Sequence, residues 1–445
     1  MQTYPTPVQL AAARSDGPMV DLFLPAAGGT EPWLAAEVQQ LTGGPAESGR
    51  GGVWVRGTPS LAMRLNLESR LAQRVLWPLA CGPYRDEHDL YDLARREVDW
   101  PAWITPQMTL RVDVHAHASP LRSLNFAALR IKDAVCDALR EACGQRPDVD
   151  TRHPDLPLVL YLGPDQATLY ADTSGEALFK RGWRDARGGS VDVKGEAPLK
   201  ETLAAAMLAA AGWQGRAEDG PLLDPCCGAG TIAIEAAQMA CGVAPGLNRR
   251  FAFERWPLFR EHLGHWHRLR QQARDRIHAP AAPVYAGDVS FRMTDFAQRN
   301  AERAGVSRAI DFRAGDALQR PPPAAQGTIV MNPPYGERIE PKGQGSARAR
   351  GGREGFDDAD AGASGFFGAL AAHWKRHYPG WTAWLLSPQS DLPSVMRLKE
   401  SRRVPLWNGP IECRMFRFDI VAGSARAKPT DQATSDGPPR GSAAA

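Results

Sequence analysis

Between Gly195 and Val421 the chain repeats one unit that leaves few folds open: a short apolar run, a polar or acidic turn, then a helix-like stretch. The runs are "PLLDP", "PVYAGD", "AIDFRAGD", "TIVMN" and "TAWLLS", separated by helical segments such as "FRMTDFAQRNAERAG", which Gly305 closes. Such alternation predicts a mostly parallel sheet with helices on both faces. The last stretch departs from it. "RVPLWNGPIECRMFRFDIV" holds two β-like runs around Asn408-Gly409, a dipeptide that favours a type I′ hairpin, so the sheet should finish in an antiparallel strand.

Upstream the rhythm is different. "MVDLFLPA" and "GGVWVRG" read as strands around the helix "EPWLAAEVQQL", and "LRIKDAVCDALREACG" reads as a helix ending at Gly144. "LPLVLYLG" and "ATLYADTSG" add two strands. The expectation is an α+β region divisible in two, followed by the α/β domain, with tails at 1–19 and 423–445 whose composition cannot bury a core. At 445 residues there is chain enough for several cores.

Composition narrows function only at the edges. A formal net charge of +3 permits nucleic-acid binding without arguing for it. Seven scattered cysteines with no C-x-x-C pair suggest reduced thiols rather than a disulfide framework or a metal site. No apolar run approaches the roughly 20 residues that a membrane helix needs. Together these features predict a cytoplasmic protein without a structural metal.

The chemistry lies at the carboxyl ends of the strands, where open α/β sheets bind ligands. "LLDPCCGAGTIAIEAA" is a strand, a tight turn at Gly228 and Gly230, and a helix from Thr231. It lacks the third glycine of G-x-G-x-x-G that a dinucleotide pyrophosphate would call for. With Asp224 at the strand end, the turn better suits a cofactor carrying an amino-acid end, and S-adenosylmethionine is one. Asp288 could then accept from ribose hydroxyls and Asp316 from an adenine amine. Either acid alone could instead cap a helix. Cys226 and Cys227 pack at the turn.

The fourth strand runs into Asn332-Pro333-Pro334-Tyr335. An exocyclic amine on a planar group is a poor nucleophile, because its lone pair is delocalised. An amide oxygen at Asn332 and the carbonyl of Pro333, held by prolines, can accept its N–H bonds while Tyr335 stacks on the plane. The motif leaves open which amine: adenine N6, cytosine N4, guanine N2 and glutamine amides all fit.

The chain resembles the THUMP-domain class I methyltransferases of the bacterial large-subunit rRNA guanine-N2 type, the RlmL-like enzymes. The likeness runs through "GGV" at 51–53, "RIKDAVCDALR" at 130–140, "RPDVDTRHPDL" at 146–156, "DTSGEALFKRGWR" at 172–184 and "APLKETLAAA" at 197–206. It continues in the Gly turn, "APGLNRRFAFERWP" at 244–257, "NPPYGER" and "NGPIEC" at 408–413. It implies a ferredoxin-like segment at 20–60, a THUMP RNA-binding domain at 61–184 and a Rossmann-like, seven-stranded methyltransferase domain at 195–422. S-adenosylmethionine would be held by Asp224, Cys226, Gly228, Gly230, Thr231, Asp288, Asp316 and Asn332, and the target guanine by Asn332 to Tyr335. Arg122, Arg130, Lys132, Lys180, Arg181 and Arg184 are the cations expected to meet RNA phosphates.

Ala229 stands where the family usually has Ser, and a second methyltransferase domain, fused in some relatives, is not expected. The stretch 340–364 is an insertion, with Arg348, Arg350 and Arg353 read as either a mobile RNA contact or a disordered segment. Large-subunit rRNA is the expected partner, with tRNA the alternative. DNA-adenine or glutamine methylation gives no reason for the region 20–184. An inactive RNA-binding assembly factor would not need every cofactor acid.

Overall fold

The computed structural model describes residues 17–184, 199–333 and 358–421. The two tails and the arginines of the insertion lie outside these residues, as do Pro334 and Tyr335. Two sheets organise the rest.

The first sheet contains β1 (Val20–Pro25), β2 (Glu47–Gly49), β3 (Gly52–Gly57), β4 (Leu76–Pro83), β5 (Thr109–Ala116), β6 (Asp148–Val149), β7 (Leu156–Leu162) and β8 (Gln166–Asp172). Its order is β2-β3-β1-β4-β8-β7-β5-β6. The two segments expected before residue 185 therefore share one sheet, because β4 pairs with β1 on one side and with β8 on the other. Four helices cover it: α1 (Glu31–Thr42), α2 (Pro59–Glu68), α3 (Glu87–Glu97) and α4 (Leu124–Cys143). α4 ends where expected, at a left-handed Gly144, whose amide donates back to Arg140.

The second sheet contains β9 (Leu222–Asp224), β10 (Val284–Asp288), β11 (Ile310–Ala314), β12 (Thr328–Met331), β13 (Thr382–Ser387), β14 (Arg402–Asn408) and β15 (Ile411–Asp419), in the order β11-β10-β9-β12-β13-β15-β14. β9 to β13 are parallel and β15 is antiparallel to β13. α5 (Glu201–Ala211), α6 (Thr231–Ala240), α7 (Leu263–Asp275), α8 (Phe291–Arg303), α9 (Asp358–His377) and α10 (Leu392–Met396) accompany it. The seven strands are in the arrangement that the resemblance implies, and the order reverses at β9, so a crevice opens beyond its carboxyl end.

The hairpin turn differs from expectation. Asn408 pairs with Ile411, which leaves Gly409-Pro410 as the loop, with Gly409 at φ 64°. A type I′ turn needs positive φ at both loop residues, and proline cannot supply it; glycine followed by proline suits type II′ instead.

Both sheets feed one apolar core, from Leu22 through Leu203 and Ile234 to Met415. At its centre Trp77 meets Phe259 edge to face at 5.6 Å, and Trp103 meets Trp256 in the same way at 5.6 Å. Trp256 and Phe259 come from the segment between α6 and α7. That segment also donates its Trp256 indole to Asp155 at 2.8 Å and its Arg249 guanidinium to the carbonyls of Ser174, Glu176, Ala177 and Lys180. The far face of the second sheet packs under α9 through Phe367, Leu370 and Trp374.

Candidate active site

The turn between β9 and α6 needs two left-handed residues, and Gly228 (φ 51°) and Gly230 (φ 85°) supply them. A Cβ on Gly230 would also stand 3.0 Å from that of Ala297, so α8 could not pack so closely. The turn is tied to the next strand: the Cys227 amide donates to Gly287 at 2.7 Å and the Gly228 amide to the Asp288 carboxylate at 3.0 Å. α6 begins at Gly230 without a side-chain cap, leaving first-turn N–H groups available beside the crevice.

Three acids stand around this turn in distinct states. Asp224 is 1% exposed, and its Oδ1 has no hydrogen-bond partner. Burial, reinforced by the charge of Asp288, pushes its carboxyl up to about 8, against the Cys226 amide and the Arg320 charge. Asp288 receives Gly228 on one oxygen and the Ser290 amide, at 2.9 Å, on the other. Ser290, rather than Asp288, caps α8. Asp316 accepts from the Leu318 amide at 2.9 Å, a local turn contact.

Asn332 follows β12, which pairs with β9. Its Oδ1 is buried and has no partner among the described residues, and Pro333 beside it is buried. Buried side-chain oxygens are nearly always hydrogen-bonded. Two orphans at the ends of adjacent strands, an acid and an amide, are therefore what a site shaped for polar ligands leaves behind. Cys226 is partly buried and Thr231 is buried in the first turn of α6.

Sequence reasoning missed two supports of the site. Arg320 donates to the Ala286 carbonyl at 3.0 Å and occupies the space that a side chain on Gly287 would need. Its own carbonyl accepts from the Tyr378 hydroxyl at 3.0 Å. The only trace of this in sequence is the glycine of "YAGD". The second support, Asn300, donates to the Ala229 carbonyl at 2.9 Å; nothing in a helical Asn announces that.

The six cations expected to face RNA separate into two groups. Arg181 is 3% exposed and paired with Glu235 at 3.3 Å, so it belongs to the interior and not to an RNA surface. Arg184 is likewise turned inward, onto Glu201 at 2.8 Å, because both follow β8 into the joint with the second sheet. Lys180 pairs with Glu176 and Lys132 with Asp133. Arg122 is exposed, and Arg130 lines an open cleft of about 440 Å³ between α3 and α4, together with Lys132, Arg140 and Arg146. Among the described residues, no cluster of His, Cys, Asp and Glu could hold a metal ion, and no helix is long and apolar enough to cross a membrane.

Strand order, glycine turn and strand-end acids together define a class I methyltransferase. Residues 21–76 match the RlmL ferredoxin-like domain, 84–172 the THUMP domain and 187–347 the RMKL-like methyltransferase domain. The chain thus carries the ferredoxin-like, THUMP and methyltransferase domains of the RlmL-like class I methyltransferases. Ribosomal RNA large subunit methyltransferase K/L of Shewanella amazonensis is 34% identical over 415 residues, which are 92% of this chain and 54% of that protein. The protein of the same name from Shewanella loihica is 34% identical over 424 residues, 94% of this chain and 55% of its own. The chain thus spans about half the length of the curated relatives it matches. Among solved structures, SMU.472, which carries a provisional methyltransferase assignment and is complexed with SAH, superposes at TM-score 0.76 and 25% identity over 92% of this chain and 99% of its own. A Listeria monocytogenes protein provisionally assigned as an N6-adenine-specific DNA methylase superposes at TM-score 0.75 and 27% identity, covering 90% of this chain and 96% of its own.

Proposed function

We propose that this chain uses S-adenosylmethionine to methylate the exocyclic N2 amine of a guanosine in 23S, large-subunit, rRNA. One observation carries the reading: the buried, unpartnered oxygens of Asp224 and Asn332 at the ends of adjacent strands. The first suits an ammonium group, the second an N–H of a planar amine. The cofactor, when bound, supplies an electrophilic methyl on a sulfonium. The chain's part is placement: Asp224, the Gly turn, Asp288 and Asp316 seat the cofactor, and Asn332 orients the amine so that its lone pair faces the methyl. A guanosine within a helix cannot reach the crevice, so it must be unstacked. The names of the K/L relatives support rRNA as the substrate, and the THUMP match supports RNA as the partner.

The test is to incubate the protein with S-adenosylmethionine and separate unmodified rRNA and tRNA pools, then identify methylated nucleosides by mass spectrometry. N2-methylguanosine in large-subunit rRNA is the expected product. Its appearance in tRNA alone, or no RNA methylation at all, overturns the reading.

Two further outcomes follow from the site. Below about 8 the free protein holds a proton on Asp224. An ammonium beside it favours the ionised form, so cofactor binding at pH 7 should release up to one proton and affinity should rise as pH approaches 8. Titration calorimetry in two buffers of different ionisation enthalpy reads this directly. Equal heats would place Asp224 outside the cofactor pocket. For RNA, Arg122→Ser with Arg130→Ser should lower the slope of log affinity against log salt by roughly 1–2. An unchanged slope would move the RNA track off α4.

A further inference from the structure

The cofactor turn is held from behind as well as from the crevice. On one side of Gly230 the Ala229 carbonyl accepts from Asn300 Nδ2 at 2.9 Å. Asn300 Oδ1 accepts from the Arg303 guanidinium, whose Nε donates to the Trp183 carbonyl at 2.8 Å. On the other side, the Thr231 hydroxyl accepts from Arg184 Nη2 at 2.5 Å, and Arg184 Nε is 2.8 Å from Glu201. Both lines end at Trp183-Arg184, the last described residues of the N-terminal region. Asn300 and Trp183 are themselves buried, at 2% and 1% exposure, while Arg303 between them is exposed.

The geometry matters because Gly230 is the hinge of the turn. Its amide is already fixed by Cys227 O at 2.8 Å, and among the described residues the adjoining Ala229 carbonyl is fixed by Asn300 alone. Together they set the plane of the Ala229-Gly230 peptide. That plane decides where the first N–H groups of α6 point.

We propose that Asn300, with Arg303 behind it, and Arg184 are positioning residues for the cofactor: they fix the glycine turn and the start of α6 against the end of the RNA-binding region. The proposal rests on the cofactor reading above. Asn300 acts through the Ala229 carbonyl it holds, Arg303 through Asn300, and Arg184 through the Thr231 hydroxyl.

Asn300→Asp is the sharpest variant. Its carboxylate still accepts from Arg303, but it can no longer donate to Ala229. Arg303→Met is the safer one, since Arg303 is exposed and keeps its aliphatic stem. Binding of S-adenosylmethionine and S-adenosylhomocysteine to the full chain is measured by calorimetry, beside thermal melting of the cofactor-free protein. Asn300→Asp should weaken binding about tenfold and Arg303→Met about threefold, with the loss appearing in KM for the cofactor rather than kcat. The double variant should be no worse than Asn300→Asp, because both break one line. Folded variants that bind within twofold of the unaltered chain overturn the proposal. An unaltered chain that binds neither compound sinks the cofactor reading and this proposal with it.

Discussion

Replacing Asn332 with alanine should lower methyl transfer by about 10²–10³-fold or more while changing cofactor affinity by no more than a few fold. Among the described residues the side chain's Oδ1 is buried and has no partner, so the substitution takes no protein hydrogen bond from that oxygen. What is lost is the acceptor that would draw one N–H of the amine into line. Without it the lone pair stays delocalised into the ring, and proximity alone does not correct that. Asn332→Asp is an informative companion. It keeps an acceptor of the same shape, so it should retain more activity than alanine. Single-turnover transfer to large-subunit rRNA, with calorimetric cofactor binding alongside, separates the two effects. Parallel loss of binding and transfer would instead place Asn332 in the cofactor pocket.

The parallel strands were readable because each is a short apolar run closed by a residue with one evident job: Asp224, Asp288 or Asn332 at a strand end, Gly305 after α8. Periodicity and turn chemistry are local, and local signals survive in sequence. α3 also carried one, since Asp86 accepts from the amides of His88 and Asp89 ahead of buried Leu90 and Leu93. β4 did not: Pro78 and a register shift between Pro78 and Ala80 break its alternation. The hairpin was legible as a hairpin, while its turn type depended on a register that places Pro410 in the loop. Charge was the least legible quantity. Arg181 and Arg184 read as RNA-facing cations because Glu235 and Glu201 reach them only through the tertiary fold. Asn300 and Arg320 escaped for the same reason. They act on backbone carbonyls, and a carbonyl leaves no mark in sequence.

Arg181 marks the other large effect. Glu235 on α6 is 1% exposed; one of its oxygens takes Arg70 Nη1 at 2.9 Å and Arg181 Nη2 at 3.3 Å. The two guanidiniums come from the N-terminal region, so this buried triad joins it to the cofactor helix. Arg70 also donates to Val243 O at 2.5 Å, and Arg181 to the carbonyls of Leu178 and Arg70. Glu235→Ala should therefore destabilise the protein by about 3–5 kcal/mol, because it strands buried positive charge rather than merely deleting a contact. The sign of a second change decides between these accounts. If stranded charge is the cost, adding Arg181→Met to Glu235→Ala should recover part of the stability, since one uncompensated guanidinium disappears. If the cost is only lost packing, the double variant should be less stable than either single one. Denaturant unfolding of the full chain measures both. A Glu235→Ala loss under about 1 kcal/mol would mean that water reaches the triad and that the joint is held by its other contacts, the tryptophan core and the Arg249 bonds among them.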